Sequence, residues 1–136
     1  TIRTQLADQY RAESFDGGNT WVNVRPMGLV GSEAPATLAR IPQTGDLLCV
    51  WNRVFNPYKS HYGRSPLNAA ISRDEGETWE QIREVENNPN ESYAYVSILF
   101  RGDEVLLTYY VHTIGTPEIG LKIKILPLAW FYEQAV

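Results

Sequence analysis

The chain has 136 residues, 43% of them hydrophobic and 21% charged, a composition that suits one globular domain with a sizeable core. Its 12 basic and 16 acidic residues leave a net charge of -4 without long runs of one sign, which argues against nucleic acid or an anionic membrane as partner. Cys49 is the one cysteine, so no intrachain disulfide forms, and within the apolar run LLCVW it reads as a buried, inert thiol.

No apolar stretch approaches the roughly 20 residues of a spanning helix. No basic segment followed by an apolar one reads as a signal peptide. The chain opens on Thr1, which reads as a trimmed or processed end.

Taken from the N-terminus, the first distinctive stretch is SFDGGNTW, residues 14–21, and it returns as SRDEGETW at residues 72–79. The shared pattern is Ser-x-Asp-x-Gly-x-Thr-Trp. Its Asp is suited to bind backbone amides of its own turn, its Gly to adopt a conformation other residues resist, and its Thr to begin an outgoing strand. Trp21 and Trp79 are then expected to bury their indoles between neighbouring sheets. This pattern builds a turn and an anchor, and chemistry has to be sought elsewhere.

Between and beyond the two boxes lie TLARI, DLLCVW, LNAAIS, TWEQIREV, YVSILF, EVLLTYY and LKIKILPLAWF, each bounded by Gly, Pro, Asn or Asp. Short runs of β-branched and aromatic residues broken by turn formers predict strands. RIPQTGDLL and LFRGDEVLL each set a Gly-Asp turn between two such runs and predict antiparallel hairpins. The spacing resolves into a repeat: residues 1–29 hold the end of one unit, 33–86 a complete four-stranded unit and 92–133 three strands of another. The expected fold is all-β, a partial β-propeller of four-stranded antiparallel blades within one domain over residues 1–136.

The two boxes resemble the Asp-box repeats of the sialidase (neuraminidase) superfamily. APATLARIPQTGDLLCVWNR, RSPLNAAISRDEGETW and YVSILFRGDEVLLTYY look like its BNR-repeat branch. The resemblance implies the C-terminal part of a six-bladed propeller and an exo-acting glycoside hydrolase of terminal acidic sugars. The family's site has three arginines around the substrate carboxylate, a tyrosine nucleophile assisted by a glutamate, and an aspartate acid/base.

By that resemblance Arg64, in HYGRSPLNAAIS, takes the place of the third arginine. Tyr95, in YAYVSILF, takes that of the nucleophile, with Tyr93 as a nearby competitor. Glu33 and Arg53 resemble the glutamate and the second arginine. In the family that pair sits one blade before the third arginine, whereas here all three fall within one unit, and Arg64 with Tyr95 is the favoured assignment. Tyr110 stands where the family often has a glutamate, fifteen residues after the nucleophile, and the first arginine and acid/base have no counterpart.

A guanidinium fork binds a carboxylate through two parallel hydrogen bonds, which suits Arg64 and Arg53 to an acidic sugar. The resemblance implies catalytic roles for Tyr95 and Glu33, and the chemistry is consistent with them, since a phenol becomes a nucleophile when a base takes its proton. His61 and His112 lack a carboxylate cluster, so neither a metal nor another cofactor is expected. The expected partners are a carbohydrate, sialic acid or a related glycan, and either further copies of the chain or the remainder of a longer one. The alternative is a non-catalytic propeller module that binds carbohydrate or protein.

Overall fold

The computed structural model describes residues 1–55 and 64–133. Nine strands among them form three antiparallel sheets in which sequence neighbours pair. The first sheet joins β1 (Asp8–Glu13) to β2 (Val22–Val30) around the first box. The second runs β3 (Thr37–Arg40), β4 (Leu47–Asn52), β5 (Leu67–Ser72) and β6 (Glu80–Glu86). The third runs β7 (Glu91–Arg101), β8 (Glu104–Thr113) and β9 (Ile119–Pro127).

The uninterrupted apolar runs become the strands that are covered on both sides. Every residue of β4 and β5 is buried, and their side chains divide by the two-residue period of a strand. Leu48, Val50, Leu67 and Ile71 join Tyr93 and Leu107 in a core between the second and third sheets. Cys49, Trp51 and Ala70 join Met27 and Leu29 in another between the first and second. The second sheet is thus the middle layer of a stack, and the chain has the all-β architecture of partial propeller blades.

Both Gly-Asp hairpins form. Gly45 and Gly102 adopt φ of +82° and +55°, values that strain any residue with a Cβ, and they turn β3 into β4 and β7 into β8. The two boxes close in the same way. The Asp16 carboxylate accepts bonds from the Thr20 N–H at 2.9 Å and the Thr20 hydroxyl at 2.6 Å, and Asp74 does the same with Thr78 at 2.9 and 2.6 Å.

Two expectations need correction. The run LKIKILPLAWF is not one strand: β9 ends at Pro127 and a 3-10 helix, Leu128–Tyr132, follows. Apolar burial redirects the chain there, since Leu128 and Phe131 enter the core between the second and third sheets while Trp130 lies under Arg83, whose Cζ is 4.2 Å from the indole centroid. Nor are both box indoles buried. Trp79 packs against the core of the first two sheets, but Trp21 is 62% exposed because none of the described residues covers the outer face of the first sheet.

Candidate functional site

The segment leading into β5 is held through the backbone of Arg64. Its carbonyl accepts the Asn52 side-chain amide at 2.8 Å and the Tyr93 N–H at 3.0 Å. The same Asn52 nitrogen donates to the Tyr93 carbonyl at 3.1 Å, so one buried amide ties the end of β4, the approach to β5 and the start of β7 together. From this anchor the half-buried Arg64 side chain reaches the third sheet. Its Nη1 donates to the Tyr110 hydroxyl at 3.4 Å, and that hydroxyl lies 3.5 Å from Ser92 Oγ.

Tyr95 completes the cluster from a bulge in β7. The pairing with β8 slips between Ala94 and Ser97, and Tyr95 there adopts φ of +57°, a strained value for a residue with a Cβ. The bulge re-aims the side chain outward, leaving it 60% exposed. Its ring centroid is 5.4 Å from Arg64 Cζ and 5.5 Å from the Tyr110 ring, the two phenols tilted at 40°. Strained backbone of this kind gathers at functional sites, and in this chain Ala7, Asn23, Glu75 and Gln81 also adopt it, so it is the guanidinium beside Tyr95 that sets this position apart.

Electrostatics separates this cluster from the other arginines. Arg11, Arg25, Arg40, Arg73, Arg83 and Arg101 each form an ion pair with a glutamate. Among the described residues, Arg3, Arg53 and Arg64 pair with no carboxylate. The Arg64 guanidinium holds the Tyr95 phenol below its ordinary pKa, and Arg3 adds to the effect. Partial burial works against the charge on Arg64, yet the hydroxyls of Tyr95 and Tyr110 keep its own pKa raised.

Tyr93, two residues earlier, is the converse case. It is fully buried and donates its hydroxyl to Glu91 Oε2 at 2.5 Å. Burial, reinforced by that carboxylate, raises its pKa. A carboxylate partner therefore belongs to the sealed tyrosine, and the open one faces guanidinium. Among the described residues no carboxylate bonds to the Tyr95 phenol.

Arg64 and Tyr95 are thus brought together, by a contact that neither Glu33 nor Arg53 shares among the described residues. Glu33, before β3, accepts a bond from Gln5 Nε2 at 2.8 Å, and Arg53 is exposed just past the end of β4. Among the described residues neither forms a hydrogen bond or ion pair with Arg64 or Tyr95. His112 meets the Thr116 carbonyl at 2.9 Å, and His61 lies outside the described residues.

The residues that sequence reasoning missed are Asn52, Ser92 and Arg3. Asn52 carries a signal, a polar residue closing the apolar run LLCVW directly before Arg53. Arg3 carries none, because its proximity to Tyr95 depends on how the N-terminal segment is laid down. That segment is held by Thr1 Oγ1 donating to the Ala36 carbonyl at 2.9 Å and by the Ile2–Tyr10 bridge.

Chemically the cluster offers guanidinium and hydroxyl groups. Hard cations take carboxylate and carbonyl oxygens, so this donor set suits an oxyanion and not a metal. No curated protein and no solved structure matches the chain. The model of the BNR repeat-like domain matches residues 1–111, which include both boxes, Arg64, Tyr95 and Tyr110. On that match the chain belongs to the BNR repeat-like domain family.

Proposed function

We propose that the Arg64–Tyr95–Tyr110 cluster binds a carboxylate-bearing sugar, as part of a sialidase-like propeller. The observation that carries this reading is a half-buried guanidinium whose neighbours are phenols and not carboxylates, beside an exposed and strained tyrosine. Arg64 supplies the charge and the fork, Tyr95 an aromatic face for the apolar side of a sugar ring, and Tyr110 and Ser92 hydroxyls for its edge. Arg3 and Arg53 stand as further cationic groups for the same anion.

A second reading, hydrolysis, is favoured by the lowered pKa of Tyr95. In that reaction the phenol oxygen bonds to the anomeric carbon while the bond to the leaving oxygen breaks. The phenol proton passes to a base, and the leaving oxygen takes a proton from an acid; water then bonds to the anomeric carbon as the bond to the tyrosyl oxygen breaks, giving its proton to the base and returning the phenol. A phenol suits that anomeric centre because the neighbouring carboxylate would repel an anionic nucleophile. Glu33 is the base this reading requires, and its bond to Gln5 would have to give way.

The two readings separate in one experiment on the purified chain. A non-hydrolysable sialoside is titrated into labelled protein by NMR, and a fluorogenic sialoside is offered to wild type and to Tyr95→Phe. Binding that perturbs Tyr95 and Tyr110, with no turnover by either protein, supports recognition alone. Turnover abolished in Tyr95→Phe supports the hydrolase. Absence of any binding counts against both.

A further inference from the structure

β7 opens the third sheet as β3 opens the second, yet the two strands are built differently. β3 keeps an unbroken register with β4, from Thr37 opposite Val50 to Arg40 opposite Leu47. β7 does not: Ala94 faces Tyr110 and Ser97 faces Thr108, so Tyr95 and Val96 together oppose Tyr109. The bulge is therefore an addition to the repeated unit. The positive φ of Asn23 and Gln81 is not, because each stands two residues after its box tryptophan and recurs with the box.

A strained conformation at a residue with a Cβ persists only where its surroundings over-determine it. At Tyr95 those surroundings come from the second sheet. On one side the Asn52 amide donates to the Tyr93 carbonyl at 3.1 Å, and the Tyr93 N–H donates to the Arg64 carbonyl at 3.0 Å. On the other side the Thr37 hydroxyl donates to the Val96 carbonyl at 2.6 Å, across 59 residues of sequence. Tyr93 and Val96 are also buried together in the core between the second and third sheets. Both flanks of the bulge are thus anchored, while the Tyr95 side chain faces out.

We infer that Thr37 is a positioning residue: together with Asn52 it clamps the β7 bulge from the second sheet and so holds the Tyr95 ring against Arg64. The inference rests on the reading of that cluster as a binding site, and adds that a hydroxyl on β3 sets its geometry. With that hydroxyl removed, the Val96 carbonyl loses its donor, the backbone of the bulge relaxes from its positive φ, and the ring moves off the guanidinium.

The test compares Thr37→Val, which keeps the shape and removes the hydroxyl, with Thr37→Ser, which keeps the hydroxyl. Valine suits a strand, and Thr37→Ala repeats the comparison with a smaller side chain. The first readout needs no ligand. It is the titration of the Tyr95 phenol, followed by NMR of tyrosine labelled at the ring carbon that bears the oxygen and assigned with Tyr95→Phe. In wild type Arg64 holds that phenol below its ordinary pKa. Thr37→Val is expected to move it back up, and Thr37→Ser to leave it in place. Thr78→Val, which removes a hydroxyl bond of 2.6 Å in the second box, is the control for lost stability and is expected to leave it in place too. The second readout is affinity for a sialoside, expected to fall roughly fivefold in Thr37→Val, the scale of one hydrogen bond, and to hold in Thr37→Ser. A phenol that titrates alike in wild type and Thr37→Val overturns the proposal. So does an equal shift in Thr37→Ser or in Thr78→Val. Absence of sialoside binding by wild type counts against the ligand reading instead, and the titration then decides the clamp by itself.

Discussion

Arg64 is fixed through its backbone while its guanidinium faces phenols, and the residue that does the fixing is Asn52. Its amide nitrogen lies 2.8 Å from the Arg64 carbonyl, 3.1 Å from that of Tyr93 and 3.4 Å from that of Pro66, inside the fold. Asn52→Ala leaves those acceptors short of a donor, at a cost of about 1–3 kcal/mol. Urea unfolding should show that loss, and a change below about 0.5 kcal/mol, the range of surface substitutions, would contradict it. Cys49 behaves as its apolar run promises: burial pushes its thiol up to about 12. Ellman's reagent should leave the native chain unmodified at pH 8 and react once denaturant is added. Rapid modification without denaturant would show that the second sheet opens. At this scale burial was legible in sequence for Cys49, whose neighbours are all apolar. It was not legible for Asn52, whose role depends on carbonyls brought in from two other segments.

The boxes are the elements most fully written into the sequence, because every bond that closes them lies within eight residues. Ser14 and Ser72 donate to Asp16 and Asp74 at 2.9 and 2.8 Å, and Gly18 and Gly76 donate back to those serine hydroxyls at 2.8 Å. The threonine hydroxyl and N–H hold each Asp carboxyl at about 2, below its ordinary 3.8. A lowered folded-state pKa stabilises above the unfolded value and loses that contribution as pH falls through the folded one. The thermal midpoint should therefore fall as pH drops from about 4 to about 2, and Asp16→Asn with Asp74→Asn should flatten that fall. An unchanged slope in the double variant would place the acid sensitivity elsewhere. The hairpins share this local logic through Gly45 and Gly102. The end of β9 does not, since the pull of Phe131 into a distant core is not a local signal.

Among the described residues the sheets form a stack whose middle sheet is covered on both sides and whose outer sheets each keep exposed apolar side chains. Sequence reasoning reached the strands and their grouping through the repeat, but not which box indole is covered, because Trp79 and Trp21 sit in the same pattern and differ only in having a neighbouring sheet. The site shows the same division. Arg64 and Tyr95 come from different sheets, and a resemblance paired them where composition and periodicity had nothing to say. The bulge that turns Tyr95 outward, and the laying of Arg3 toward it, arise only once β7 and the N-terminal segment are packed.

Carboxylate recognition by Arg64 is the claim on which the functional account stands, and calorimetric titration with a sialoside and its methyl ester tests it most directly. The ester keeps the ring and removes the charge. The account predicts that the free acid binds wild type at least about tenfold more tightly than the ester, the scale of a charge-assisted hydrogen bond, and that Arg64→Ala erases the difference. Equal affinity of acid and ester for wild type, or a preference that survives in Arg64→Ala, would contradict it.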